Sequence, residues 1–141
     1  MIAIIRIKGL VKIRKKIEET LYRLRLRRKY SCVILRDDPK IKNMLKKLRN
    51  FVAYGNIDDK TLEELINKRG QLIDKTKKIS GKEIIEEIKK EKIEKKWQSY
   101  NLKPFFRLHP PRGGINSKLH YPKGVLGDHK EKINLLIRRM L

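Results

Sequence analysis

The sequence predicts an α+β fold: a β-α-β-α-β core with two helices on one face of a small three-stranded sheet, related to the split βαβ or ferredoxin-like plan. Three observations predict it. Three short apolar runs, Met1 to Ile7, Ser31 to Leu35 and Phe51 to Tyr54, have the length and composition of strands. Two stretches with apolar residues at helical spacing lie between them, Ile13, Ile17, Leu21 and Leu24 in one, Ile41, Met44, Leu45 and Leu48 in the other. Turn and cap residues punctuate the borders between runs.

Residues 2–8 read as the first strand, with Arg6 and Lys8 alternating against Ile5 and Ile7, so that its far end is expected to leave the core. Gly9 breaks the run, and the first helix is expected over residues 12–27. The second strand, 31–36, is apolar throughout its middle, as a covered strand should be. Asp38-Pro39 then forms a strong helix start: an Asp side chain accepts from the first N–H groups, and Pro fits the first helical position. Gly55-Asn56 is expected to end the third strand after Tyr54.

Beyond residue 57 the plan is extended. Asp58 or Asp59 is placed to cap a helix carrying Leu62, Leu65 and Ile66, with Gly70 at its end. Ser80 and Glu83 make a capping box before Ile84, Ile85 and Ile88. Residues 58–100 are thus expected to be a helical insertion or a protein-facing surface. Lys103 to Gly114, KPFFRLHPPRGG, is too broken by Pro and Gly for a helix and reads as an extended segment. A loop with Lys118 and Lys123 follows, and Asp128 and Glu131 introduce a C-terminal helix with Ile133, Leu136, Ile137 and Met140 inside. The expected organisation is a core over 1–57, the helical insertion over 58–100, and a basic segment with its helix over 101–141, packed together as one domain.

The charge pattern identifies the class of partner. In 141 residues, 38 Lys and Arg stand against 16 Asp and Glu, a net charge of +22. Residues 1–57 hold 17 basic and 4 acidic residues, residues 58–100 hold 12 and 10, and residues 101–141 hold 9 and 2. The two ends carry the excess, which favours a polyanion, nucleic acid before an anionic membrane. No apolar run approaches the roughly 20 residues that span a bilayer, so no membrane partner and a cytoplasmic location are expected. Cys32, the only cysteine, sits in the apolar run CVIL and reads as a buried structural thiol.

Catalytic signals are missing from the pattern. His109, His120 and His129 lack metal-ligand spacing, and Asp37-Asp38 and Asp58-Asp59 are explained as helix caps. No phosphate-cradling or nucleophile motif occurs, so no enzyme, cofactor, metal or small-molecule substrate is expected. The candidate RNA-binding residues fall in five groups. Lys8, Lys12, Arg14 and Lys15 surround the turn into the first helix, whose N-terminal N–H groups can also hold phosphate. Arg27 and Arg28 lie at that helix's far end, and Lys42 and Arg49 on the second helix. Arg107, His109, Arg112, Gly113 and Gly114 lie in FRLHPPRGG, where guanidinium groups, a stacking ring and close backbone approach suit a ribose-phosphate chain. Lys118 and Lys123 complete the set. One of Phe105 and Phe106 is expected to be buried, and Trp97 and Tyr100 to pack rather than to stack on bases.

These residues, in this order, resemble the L-thirty family of large-subunit ribosomal proteins, in its archaeal type, whose eukaryotic relatives are called L-seven. The resemblance runs through IIRIKG, RKKIEETLYRLRL, FVAYGNI, FRLHPPRGG and the ending INLLIRRML. It implies a β-α-β-α-β core, a structural role in the large ribosomal subunit, binding to its ribosomal RNA beside neighbouring ribosomal proteins, a position near 5S ribosomal RNA, and no catalysis. The loop after HPPRGG is short here, so contacts made by a longer loop in relatives are expected to be missing. Two other readings compete: a DNA-compacting or other RNA-binding protein, and a nuclease or RNA-modifying enzyme using His109 and His120.

Overall fold

The computed structural model describes residues 1–76, 80–90, 97 and 99–141. Its sheet has five strands in the order β4-β2-β1-β3-β5. The central three are β1 (Ile2–Arg6), β2 (Ser31–Leu35) and β3 (Val52–Asn56), with β1 antiparallel to both neighbours. Helices α1 (Lys15–Arg23) and α2 (Pro39–Leu48) connect them. Because β2 and β3 flank β1 and α2 joins them, the unit β2-α2-β3 is a βαβ split by the first strand. Two edge strands of two residues each widen the expected three-stranded sheet. β4 (Phe106–Arg107) pairs antiparallel with β2, and β5 (Gly127–Asp128) pairs parallel with β3.

Both faces of the sheet are covered, and strand alternation sorts the core into two. Ile2, Ile4, Val33 and Val52 meet Leu21 and Leu26 from the α1 region and Leu45 and Leu48 of α2. Ala3, Ile5, Cys32, Ile34 and Ala53 point the other way. They meet apolar residues of α3 (Asp59–Arg69), α4 (Gly81–Lys90) and α5 (Ile133–Met140). A central strand covered on both sides accounts for the unbroken IAII of β1. The helices after residue 57 therefore form the sheet's second layer. The continuation of the expected insertion through 91–96 lies outside the described residues.

Local signals set several boundaries. Asp38 Oδ1 accepts from Lys40 N at 2.9 Å with Pro39 in the first turn, and Asp58 Oδ1 accepts from Thr61 N at 2.8 Å. Gly70 ends α3. Asp128 Oδ1 accepts from Lys130 N at 2.9 Å, at the entry to a short 3₁₀ turn (Lys130–Lys132) that leads into α5. Trp97 packs edge-on against Phe106, ring centroids 5.6 Å apart, and Tyr100 is buried in the same core.

Four expectations are corrected. The first helix covers Lys15–Arg23, not 12–27: Lys12 has φ +56° and Arg25 φ +60°, which no helix accommodates. The first strand ends at Arg6, before Lys8. Arg6 does not leave the core but is 1% exposed, its charge held by backbone carbonyls. Finally, Gly55 does not terminate β3. It lies inside the strand and is buried. A Cβ there would run into the Lys130 carbonyl and lie 2.9 Å from Ile133 Cβ, so the missing side chain lets the 3₁₀ turn and α5 rest on the strand.

Candidate nucleic-acid interface

The C-terminal end of α1 is built around a Schellman motif. Leu26 N donates to Leu21 O and Arg25 N to Tyr22 O, both at 2.9 Å. Leu21 and Leu26 are buried in the same core, as the motif's apolar contact requires. The left-handed position usually occupied by glycine is taken by Arg25. The loop that follows is fastened from below by Arg6. Its Nη1 donates to Leu26 O and Arg27 O, both at 2.8 Å, and its Nε to Lys8 O at 3.0 Å. Burial lowers the pKa of Arg6 below its ordinary value, with Glu18 and Tyr22 acting in the opposite direction. The side chain thus ties both ends of the connection to the end of β1.

Pairing of β2 with β4 places Arg107 opposite Ser31 at the sheet edge. This register brings Phe105 and Arg107 beside the end of α1. The result is a groove of about 510 Å³ lined by Tyr22, Arg23, Arg25, Arg27, Arg28, Ser31, Phe105 and Arg107. The Arg27 guanidinium lies over the Tyr22 ring, 5.3 Å from its centroid, and that of Arg107 over Phe105 at 5.7 Å. No carboxylate is among the lining residues. Five cations around one concavity repel one another, and an anionic ligand would relieve that repulsion.

The remaining candidates lie in separate places. Lys8 is half-buried, its ammonium 6.0 Å from the Phe51 ring centroid, whereas Lys12, Arg14 and Lys15 are exposed around the entry to α1. No side chain caps that N-terminus. Arg112, Gly113 and Gly114 are exposed in a tight turn where Gly114 N donates to Pro111 O. That turn is held by Arg139, which donates to Arg112 O through Nε at 3.0 Å and Nη2 at 2.8 Å, and to Gly114 O through Nη2 at 2.8 Å. Arg112 itself extends into solvent. His109 is exposed, and its N–H donates to Met140 O. Lys118 and Lys123 are exposed on the following loop. On α2, Lys42 is paired with Asp37 at 2.6 Å, and Arg49, which caps the end of that helix, is exposed.

Phe106 is the buried member of its aromatic pair, and Phe105 lies half-buried at the groove. The sequence reading missed Tyr22, Arg23 and Arg25 as groove residues, and Arg139 as the clasp of the C-terminal turn. The charge run YRLRLRRK was visible, but only the β2–β4 register shows which of its members share a concavity. His109, His120 and His129 do not converge. His120 Nε2 contacts Asn50 Oδ1 at 2.8 Å, while His129 is buried with Nε2 at 2.7 Å from Val125 O. Among the described residues no cluster of His, Cys, Asp and Glu could hold a metal ion, and no helix is long and apolar enough to cross a membrane. Burial pushes the Cys32 thiol up to about 12, consistent with a structural thiol.

The profile of the family described as Ribosomal protein L30p/L7e matches residues 2–52, the whole β1-α1-β2-α2 unit and the first residue of β3. The large ribosomal subunit protein uL30 of Archaeoglobus fulgidus is 44% identical, over 99% of this chain and 99% of its own length. Those of Nanoarchaeum equitans and Pyrobaculum islandicum are 40% and 39% identical, over 99% of this chain and 97% and 93% of their own lengths. With near-complete coverage at this identity, the chain belongs to the uL30 family of large ribosomal subunit proteins.

Proposed function

We propose that this protein is a structural constituent of the large ribosomal subunit, that it binds and stabilises ribosomal RNA, and that it catalyses no reaction. The observation that carries the reading is the cationic groove between the end of α1 and strand β4, on a chain aligned end to end with uL30 proteins. Folded RNA concentrates phosphate where its helices approach, and cations on a rigid scaffold reduce that repulsion. Lys8, Lys12, Arg14 and Lys15 at one end of α1, and Arg27, Arg28 and Arg107 at the other, would contact neighbouring stretches of backbone. Arg112 with Gly113 and Gly114, together with Arg49, Lys118 and Lys123, would extend the contact. Shape and phosphate contacts dominate such an interface, with little base reading outside special pockets. Neighbouring ribosomal proteins, a position close to 5S ribosomal RNA and residence in the cytoplasmic ribosome belong to the same proposal.

Sedimentation of a native lysate, with the protein followed by mass spectrometry, tests it. Stoichiometric migration with large subunits through a moderate salt wash is expected, whereas residence in light or chromatin fractions would refute the reading. Competition between duplex DNA and large-subunit RNA separates it from a DNA-compacting role. The double variant Arg107→Ala, Arg112→Ala should bind RNA more weakly while keeping its circular dichroism spectrum. Both side chains are exposed, and neither is buried in the core.

A further inference from the structure

The geometry points to a pocket for one unpaired nucleotide, extruded from its RNA helix, in the groove at the end of α1. The inference rests on the RNA-binding reading and deepens it at one place. A duplex is a broad cylinder and would be met by a face of comparable breadth rather than by a small pocket. This groove is concave, and its volume of about 510 Å³ falls within the size range of small-ligand pockets, roughly 300–1,000 Å³. Its walls also pair aromatic rings with guanidinium groups, whereas the other cation–ring contacts among the described residues are made by lysines. Tyr22 is 45% exposed although it bears a large ring, and half-buried Phe105 also lines the groove.

Each ring already carries a guanidinium over it, Arg27 on Tyr22 and Arg107 on Phe105. Such stacks offer planar surfaces to a base and hydrogen-bond donors to its phosphate. Arg25 supplies an independent observation. It occupies a left-handed backbone position where glycine would be relaxed, and its side chain lines the groove. The fold therefore carries a backbone cost at the residue that places one more cation in the pocket. A nucleotide in the groove would set its phosphate among Arg25, Arg27 and Arg107 and its base against Tyr22, the more exposed of the two rings, with Phe105 contributing a second apolar wall.

The test uses the full-length protein and two RNA hairpins of equal length, one fully paired and one with a single bulged 2-aminopurine. Fluorescence anisotropy gives the affinities, and 2-aminopurine emission reports stacking of the bulged base. The wild-type protein is expected to prefer the bulged hairpin by about tenfold, the contribution of one base–aromatic stack, with 2-aminopurine emission quenched on binding. Tyr22→Leu should reduce the preference to below threefold. Tyr22→Leu with Phe105→Leu should abolish it, the single variant guarding against a folding defect from the half-buried Phe105. Arg27→Lys, which keeps charge but loses the planar stack, should also reduce the preference.

Equal affinity of the wild-type protein for the two hairpins would overturn the proposal while leaving general RNA binding intact. So would a preference that survives in Tyr22→Leu. Failure to bind either hairpin would instead overturn the RNA-binding reading beneath it. Adenosine monophosphate and adenosine triphosphate form the last arm. Either nucleotide displacing the bulged hairpin at micromolar concentration would reassign the groove to a free nucleotide, and absence of displacement at that concentration supports the RNA-borne one.

Discussion

Replacing Arg6 by methionine should cost both stability and RNA affinity, through one side chain that never touches RNA. Arg6 is 1% exposed and donates three hydrogen bonds to the carbonyls of Lys8, Leu26 and Arg27 at 2.8–3.0 Å. Hydrogen bonds from a charged group contribute about 1.5–3 kcal/mol each, so the gross loss is roughly 5–9 kcal/mol. Against this, an ion is no longer held out of water, which returns several kcal/mol, and methionine refills much of the apolar contact of the guanidinium stem. The net expectation is a loss of about 2–4 kcal/mol. For a domain of this size that lowers the melting temperature by roughly 10 °C.

The same bonds hold the segment after α1, so the cations of the groove lose their anchor. Thermal unfolding by circular dichroism reads the first effect. Anisotropy against a large-subunit RNA fragment, performed well below the variant's melting temperature, reads the second, and a severalfold loss of affinity is expected. Arg6→Lys keeps the charge, but its single ammonium cannot reproduce the spread of Nε and Nη1, so it should recover less than half of the stability. An Arg6→Met protein melting within 2 °C of wild type with unchanged affinity, on the scale where roughly 10 °C is expected, would refute the clamp.

Other substitutions test other parts of the fold. Arg25→Gly relaxes a left-handed residue and should raise stability by about 0.5–1 kcal/mol, while lowering the slope of log affinity against log salt by about one; a lowered melting temperature would contradict the strain argument. Gly55→Ala drives a methyl group into the Lys130 carbonyl and Ile133, and should cost about 1–3 kcal/mol, seen as a lower urea midpoint; an unchanged midpoint would mean that α5 does not rest on β3 as closely as described. Burial lowers the pKa of His129 below its ordinary 6.5, despite the Val125 carbonyl and Asp128 acting to raise it. The unfolded chain therefore binds the proton more readily, and the stability contributed by neutral His129 is full above pH 6.5 and is lost as pH falls below it. Replacing His129 by Gln should accordingly flatten the loss of stability between neutral and mildly acidic pH, in urea titrations at each pH, and an unaltered pH slope would exclude His129 as its source.

Legibility followed the range of the interactions involved. The helix starts at Asp38 and Asp58, the end of α3 at Gly70 and the three apolar strands were readable because a cap or an apolar period is decided within a few residues. Strands β4 and β5 were not readable as strands. Two residues carry no period, and each exists because a longer strand offers it a free edge. Arg6 misled for a related reason. A cation alternating with isoleucines reads as solvent-facing, and its burial becomes favourable only when a distant loop brings carbonyls to it. Gly55 read as a terminator because its partners, Lys130 and Ile133, come from the far end of the chain.

The net charge of +22, the apolar periods, the helix caps and the ordered set of family motifs are all legible in the residues alone. All of these depend on residue identity and short spacing. The three-dimensional packing is what covers the sheet on both faces and sets Arg6 to hold the basic loop from inside. It alone also placed Arg107 opposite Ser31, joining two distant basic segments around one groove. Charge is additive along a chain, but a binding site depends on which charges become neighbours, and that is fixed by strand register and by packing between segments far apart in sequence.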